Sequence, residues 1–218
     1  MNLLCGSFAV VAALMYNDLT LAFWLIVAGI VFDFFDGFVA RLLHSPSAIG
    51  VQLDSLADVI TSGLAPAAVL WQVCLQTEPC WLPEAWKLGY GVFVLAAFSA
   101  LRLAKFNIDE TQTVEFCGLP TPAGSLLCAS LGMLWQQGML AVLTSLLLVS
   151  PIRMFALKFH GFGWRGNEVR YLFLLASIVL IIILRTYAIP VIIVLYIVVS
   201  AVRWLCMHSG NPDKAPKA

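Results

Sequence analysis

Four aspartates lie close together in the otherwise apolar stretch DFFDGFVARLLHSPSAIGVQLDSLAD. They are Asp33, Asp36, Asp54 and Asp58, and Arg41 lies between the two pairs. Carboxylate oxygens are preferred ligands of Mg²⁺ and Mn²⁺, and two such ions about 3.5–4 Å apart support in-line displacement at phosphorus. The residue types therefore indicate a candidate site for metal-assisted displacement at phosphorus.

The spacing lets all four carboxylates meet if the stretch folds as two helices joined at HSPS. A helix turns 100° per residue, so one arc of about 140° on the first helix contains Asp33, Asp36, Gly37, Ala40 and Arg41. The second helix places within an arc of about 100° the residues Gly50, Asp54, Ala57, Asp58 and Thr61. Two antiparallel helices can thus direct the acids into one pocket, beside small residues that admit a ligand.

The acidic cluster would be costly in a membrane without bound cations. Each carboxylate deep in a span costs roughly 2.5–3.5 kcal/mol, so four cost on the order of 10 kcal/mol, comparable to the stability of a whole domain. One arginine cannot balance four like charges, whereas divalent cations can. Two alternatives are solvated acids at helix ends and an ion or proton path. Four acids on converging faces disfavour the first alternative. None of the remaining acids lies in the apolar middle of a span, which disfavours the second.

The composition indicates an integral membrane protein. Of the 218 residues, 61% are hydrophobic and 11% are charged, and the formal net charge is zero. Soluble domains are about half apolar and a quarter charged. No basic tract indicates a nucleic-acid partner. We expect one integral membrane domain over residues 1–207 and a disordered cytoplasmic tail over 208–218.

Apolar runs predict an all-α, polytopic bundle of about eight transmembrane helices. The predicted spans are residues 3–16, 19–43, 48–72, 86–106, 121–136, 139–157, 168–187 and 189–207. Ten of the 12 lysines and arginines fall at the ends of even-numbered spans and in the tail, and the opposite side has only Lys87 and Arg185. The positive-inside rule then places both termini and the acidic stretch on the cytoplasmic side.

The acidic stretch resembles the signature of the CDP-alcohol phosphotransferases, D-x2-D-G-x2-A-R-x8-G-x3-D-x3-D. The fixed positions are filled by Asp33, Asp36, Gly37, Ala40, Arg41, Gly50, Asp54 and Asp58. Within that family the segments NLLCG, DSLADVITSGLAPA, RLAKFN, GLPTPAG and SPIRMFALKF are similar to the CDP-diacylglycerol–serine O-phosphatidyltransferases. The chain departs from that pattern before Asn2, where the usual lead-in is missing. It also has Lys105 in place of the commoner arginine, which keeps the charge and loses the forked donor.

The resemblance implies a six-helix family core followed by two C-terminal helices, and a homodimer in a prokaryotic cytoplasmic membrane. It implies transfer of the phosphatidyl group from CDP-diacylglycerol to L-serine, which gives phosphatidylserine and CMP with the help of two Mg²⁺ or Mn²⁺ ions. The four aspartates would be the metal ligands, with Asp54 and Asp58 catalytic and Asp58 either a ligand or the general base. The nucleotide would be bound by Asp36, Gly37, Ala40, Arg41 and Gly50.

Serine carries a carboxylate, so its site needs nearby cations. Arg102, Lys105 and Asn107 lie at the predicted cytoplasmic end of the fourth span and are candidates for that site, although positive-inside anchoring alone also explains the two cations. Asn2 is expected either to hydrogen-bond a carboxylate or the nucleotide, or to cap a helix. Thr121 is expected to cap the fifth helix.

Two other functions remain open from the sequence. The same chemistry with glycerol 3-phosphate or inositol phosphate as acceptor would favour a denser cluster of cations than Arg102 and Lys105 provide. A membrane cation transporter would carry ions without releasing CMP.

Overall fold

The computed structural model describes residues 1–42, 48–76, 90–108, 115–135, 139–150, 153–155, 168–184 and 187–209. Within these ranges the chain forms eight helices and one short antiparallel sheet. It divides into two compact units, the first comprising Met1–Asp109 and Pro120–Val149 and the second comprising Glu110–Leu119 and Ser150–Ala218. A single domain over residues 1–207 stays a prediction.

Six helices of the first unit lie within the described ranges. Helix α1 is Asn2–Leu14, α2 is Leu19–Leu42, α5 is Thr121–Trp135 and α6 is Met139–Val149. Helix α3 consists of Ala48–Asp58, a π-helical turn at Val59–Leu64, and Ala65–Gln76. Helix α4 opens with the 3₁₀ turn Tyr90–Phe93 and continues as Val94–Ile108.

The described residues of the second unit form two helices and the sheet. Strand β1 is Glu115–Cys117, β2 is Arg153–Phe155, α7 is Glu168–Leu184 and α8 is Ala188–Ser209. The strands pair antiparallel, with Phe116 opposite Met154.

The predicted helical membrane bundle is confirmed. Among the described residues, three helices are long and apolar enough to cross a membrane, namely Leu19–Val39, Ile49–Gln76 and Tyr90–Ile108. Shorter apolar helices cover Asn2–Leu14, Thr121–Leu131, Tyr171–Leu184 and Ala188–Trp204. The side of the membrane that each end faces stays a prediction.

The helices differ from the predicted spans mainly after residue 149. The sixth predicted span ran over 139–157, whereas α6 ends at Val149. Proline disfavours the helical conformation of the residue before it, so Pro151 explains why the helix does not continue, and Arg153–Phe155 forms β2 instead. The last helix extends to Ser209, past the predicted boundary at 207. Residues 210–218 of the predicted tail lie outside the described ranges.

The connection between α1 and α2 is closed by side-chain hydrogen bonds. Asn17 adopts a left-handed conformation with φ 54°, which asparagine tolerates better than most residues. Asp18 Oδ1 accepts a 2.8 Å hydrogen bond from the Leu21 N–H and so caps α2. Gln76 Nε2, at the end of α3, donates to Asn17 Oδ1 at 2.5 Å. These bonds join the three helices at the end opposite the acidic residues.

Glycines allow α1 and α2 to pack closely against the π-helical turn of α3. A Cβ atom on Gly6 would lie 2.3 Å from Thr61 Oγ1, and one on Gly29 would lie 2.6 Å from Thr61 Cγ2. Thr61 is fully buried, and its hydroxyl donates to the Asn2 carbonyl at 3.1 Å. This packing fixes the first turn of α1 beside the acidic parts of α2 and α3.

Candidate active site

Three of the four aspartates converge as the helical spacing predicts. Helix α2 supplies Asp33 and Asp36, and α3 supplies Asp54. One carboxylate oxygen of each lies within 4.8 Å of the others. Asp33 is half-buried, whereas Asp36 and Asp54 are exposed. The cluster therefore has one side embedded in the protein and one side open to a ligand.

Asp58 lies one helical turn further along α3, in a more enclosed position. It is only 9% exposed and lies within electrostatic range of Asp36 and Asp54. Its Oδ1 accepts a 3.0 Å hydrogen bond from Asn2 Nδ2. The same Asn2 nitrogen donates to Asp33 Oδ1 at 2.9 Å. Asn2 thus joins a member of the three-acid cluster on α2 to the fourth acid on α3.

Asn2 makes the carboxylate contact that the sequence left as one of its alternatives. The N-cap of α1 is Met1, and no side chain caps this helix. The amide of Asn2 is 3% exposed. The sequence signal was an amide residue at the start of an apolar span, but it did not identify Asp33 and Asp58 as the partners.

Arg102 lies within electrostatic range of Asp58 and is held by α5. It is 8% exposed, and its Nη1 donates to Thr121 Oγ1 at 2.6 Å. The prediction that Thr121 caps α5 is wrong, because the Pro120 carbonyl accepts the Gly124 N–H bond and the Thr121 hydroxyl binds Arg102. A purely anchoring arginine would extend to the membrane surface, so the burial of Arg102 favours a role in the site.

Lys105 and Asn107 occupy different surroundings at the end of α4. The Lys105 side chain is exposed. Asn107 Nδ2 donates to Ser55 Oγ at 2.9 Å, and Ser55 Oγ donates to the Val51 carbonyl at 3.1 Å. Asn107 therefore joins the end of α4 to α3 at the residue that follows Asp54. Its predicted contact with serine stays a prediction.

Apart from Asp36 itself, the residues expected to bind the nucleotide follow the acids on α2 and precede them on α3. Within the described part of the chain, a Cβ atom added to Gly37 would meet no atom within 4 Å, so open space adjoins this glycine there. Gly50 is exposed at the start of α3. Ala40 and Arg41 lie on α2, but their side chains fall outside the described part of the structure. Unlike Gly6 and Gly29, Gly37 is not required by packing against any residue that the structure describes.

The donor set fits a hard divalent cation. All of the clustered groups are carboxylate oxygens, which suit Mg²⁺ or Mn²⁺ better than a soft metal. Three carboxylates held this close repel one another, and a cation between them would remove that repulsion. The open side formed by Asp36 and Asp54 leaves room for a phosphate ligand.

A family model described as CDP-alcohol phosphatidyltransferase matches residues 1–157. The chain belongs to this family. The match includes Asn2, the four aspartates and Arg102, so the observed site lies in the part that defines the CDP-alcohol phosphatidyltransferases.

Several curated relatives share the same name, CDP-diacylglycerol–serine O-phosphatidyltransferase. The protein from Bacillus subtilis (strain 168) is 35% identical over 163 residues, which cover 73% of this chain and 88% of that protein. The protein from Helicobacter pylori (strain 26695) is 31% identical over 200 residues, which cover 85% of this chain and 80% of that protein. The protein from Mycobacterium tuberculosis (strain H37Rv) is 32% identical over an alignment of 243 residues, which covers 98% of this chain and 81% of that protein. These matches extend well beyond the signature.

Proposed function

We propose that the protein transfers the phosphatidyl group of CDP-diacylglycerol to the hydroxyl of L-serine, giving phosphatidylserine and CMP. The observation that carries this proposal is the shared name of relatives that match most of the chain at 31–35% identity. The acidic cluster supplies the matching chemistry, because a CDP-linked lipid presents a diphosphate to be bound and cleaved.

Two Mg²⁺ or Mn²⁺ ions would be held by Asp33, Asp36 and Asp54, with Asp58 as the fourth carboxylate. When bound, such ions neutralise the diphosphate and stabilise the charge that develops on the departing CMP. The half-buried Asp33 would hold its ion from within the bundle. The exposed Asp36 and Asp54 would leave the diphosphate access from the open side.

Asp58 has two roles compatible with its position. It either completes the ligand set or takes the proton from the serine hydroxyl as the serine oxygen bonds to phosphorus and the bond from phosphorus to the CMP oxygen breaks. Its burial and its hydrogen bond from Asn2 hold the carboxylate in one orientation, which either role requires.

The substrates would occupy opposite sides of the acids. Gly37 and Gly50, with Asp36, Ala40 and Arg41, would line the nucleotide site, where missing side chains admit a flat base and ribose. The Arg102 guanidinium would attract the serine carboxylate, with Lys105 and Asn107 further along α4. The site would face the cytoplasm of a prokaryote, and the protein would act as a homodimer in its lipid bilayer.

One assay tests the function. Purified protein with CDP-diacylglycerol and Mn²⁺ or Mg²⁺ should release CMP with L-serine and not with glycerol 3-phosphate or inositol phosphate. Chelation with EDTA should stop the release, and restored Mn²⁺ should recover it. Release with glycerol 3-phosphate alone would change the assigned acceptor, and no release with any alcohol would contradict the proposed enzyme.

Replacing Gly37 by alanine should separate activity from stability. The added methyl group meets no atom of the residues that the structure describes, and alanine is a better helix former than glycine by about 0.5–1 kcal/mol, so thermal stability should be retained or raised. A methyl group that intrudes on the nucleotide should raise the KM for CDP-diacylglycerol about 5- to 150-fold, equivalent to 1–3 kcal/mol of overpacking. The measurements are a melting curve and CMP release against CDP-diacylglycerol concentration.

Gly29→Ala is the matched control for that prediction. Its methyl group would lie 2.6 Å from Thr61 Cγ2, so this variant should lose stability in the same melting assay. A Gly37→Ala enzyme with an unchanged KM for CDP-diacylglycerol would remove Gly37 from the nucleotide site.

A further inference from the structure

The side-chain nitrogen of Asn2 donates two hydrogen bonds, one to an acid on each of two different helices. Nδ2 lies 2.9 Å from Asp33 Oδ1 on α2 and 3.0 Å from Asp58 Oδ1 on α3. An amide turned the other way would set its oxygen against two carboxylates, which is repulsive, so chemistry fixes the orientation. The Asn2 side chain therefore donates to two acids that would otherwise repel one another.

The side-chain oxygen of Asn2 gains no hydrogen bond from the described residues in this arrangement. Among the described residues, Asn2 Oδ1 is buried with no hydrogen-bond partner, although burying an unsatisfied acceptor costs stability. A Cβ atom on Gly29 would lie 3.2 Å from this oxygen, which places Oδ1 against α2 and away from the acids. A side chain needed only for packing would be better apolar. The unsatisfied oxygen indicates that the two donated bonds are the feature that matters.

The backbone fixes Asn2 in this position independently of its side chain. Thr61 donates its hydroxyl to the Asn2 carbonyl, and Gly6 lets α1 approach Thr61 closely. The π-helical turn that holds Thr61 begins directly after Asp58. Helix α1 is thus fixed to the same part of α3 that carries one of the acids the Asn2 amide contacts.

We infer that Asn2 is a positioning residue that sets the orientation of Asp33 and Asp58 relative to each other, and thereby the affinity of the acidic site for divalent cations. This inference rests on the proposed metal-dependent function. Partners that hydrogen-bond metal ligands typically change metal affinity or activity 10- to 100-fold when they are removed. Asn2 is expected to have an effect of this size without touching the substrate.

The test measures Mn²⁺ binding to C-terminally tagged protein in the absence of substrate, for example by titration calorimetry. Asn2→Leu has a similar volume but lacks the N–H donors and adds no charge, and Asn2→Ala removes the side chain. Both variants should weaken Mn²⁺ binding about 10- to 100-fold. In activity assays, each should shift the Mn²⁺ concentration for half-maximal CMP release by a similar factor.

Thr61→Val is the matched control because it removes the bond to the Asn2 carbonyl and leaves the two acids their donor. It should lower the melting temperature and keep the Mn²⁺ affinity of the wild type. If the Asn2 variants lose melting temperature as Thr61→Val does but bind Mn²⁺ normally, Asn2 is only a packing residue and the inference is wrong.

A measurement on the unaltered protein covers the case in which the variants do not fold. The chain has five asparagines and one Met–Asn pair, so labelling with ¹³C-carbonyl methionine and ¹⁵N asparagine identifies the backbone amide of Asn2 by NMR, and NOEs within the residue then assign its side-chain amide signals. Its side-chain amide signals should shift during a Mg²⁺ titration with the midpoint of metal binding, while those of Asn17 stay constant. Constant Asn2 signals would overturn the inference. Wild-type protein that binds Mn²⁺ but releases no CMP with serine would contradict the proposed function alone.

Discussion

Asp54→Asn should abolish detectable turnover while the protein still accumulates in membranes. Asp54 contributes one of the three carboxylate oxygens that lie within 4.8 Å of one another, and it is exposed on the open side of the cluster. An amide keeps the shape but removes the charge that a hard cation requires. Partners that only hydrogen-bond ligands cost 10- to 100-fold, so the loss of a ligand should reduce CMP release by more than about 100-fold.

The matched control for this prediction is Asp18→Asn. Asp18 caps α2 at its opposite end, and asparagine is an equally good N-cap. This variant should therefore release CMP at the wild-type rate. Full activity in Asp54→Asn would exclude Asp54 as a ligand, and equal losses in both variants would attribute the effect to expression or folding.

Arg102→Met should raise the KM for serine much more than the KM for CDP-diacylglycerol. Arg102 is buried, bonded to Thr121 and within electrostatic range of Asp58. Truncation of one partner in a buried charged pair costs 2–5 kcal/mol, so an increase of about 30-fold or more is expected. The measurement is CMP release as a function of serine concentration at saturating CDP-diacylglycerol, repeated with the substrates exchanged.

Two further variants separate a serine-binding role from general electrostatics. Thr121→Val keeps the cation but removes its hydrogen-bond acceptor, so it should change the KM for serine in the same direction and by less. Lys105→Met should have a smaller effect than Arg102→Met, because the charge of Lys105 is exposed and screened by salt. If Arg102→Met lowers kcat and leaves the KM for serine unchanged, the guanidinium acts on Asp58 and does not bind the serine carboxylate.

The sequence predicted the features that follow from local periodicity. Long apolar runs predicted the helices, because each run must be long enough to cross the membrane. Most predicted helix ends lie within a few residues of the observed ends. The convergence of Asp33, Asp36 and Asp54 followed from the 3.6-residue repeat on two neighbouring helices.

Features that depend on contacts between distant residues could not be predicted in this way. The pairing of Glu115–Cys117 with Arg153–Phe155 involves three-residue strands, which carry little local signal. Thr121 lies in a sequence typical of a helix N-cap, and this local role gave no reason to predict its bond to Arg102. The partners of Asn2 depend on how α1 docks on α3, which is set by Gly6, Gly29 and Thr61 acting together.

The most direct test of the central claim is to locate the cations. A crystal structure of the protein grown with Mn²⁺ and CMP, measured at the manganese absorption edge, should show two anomalous peaks between α2 and α3. Each peak should lie about 2–2.5 Å from oxygens of Asp33, Asp36, Asp54 or Asp58, and the two should be about 3.5–4 Å apart. CMP bound elsewhere, with no peak between these helices and the carboxylates turned toward separate neighbours, would contradict the account.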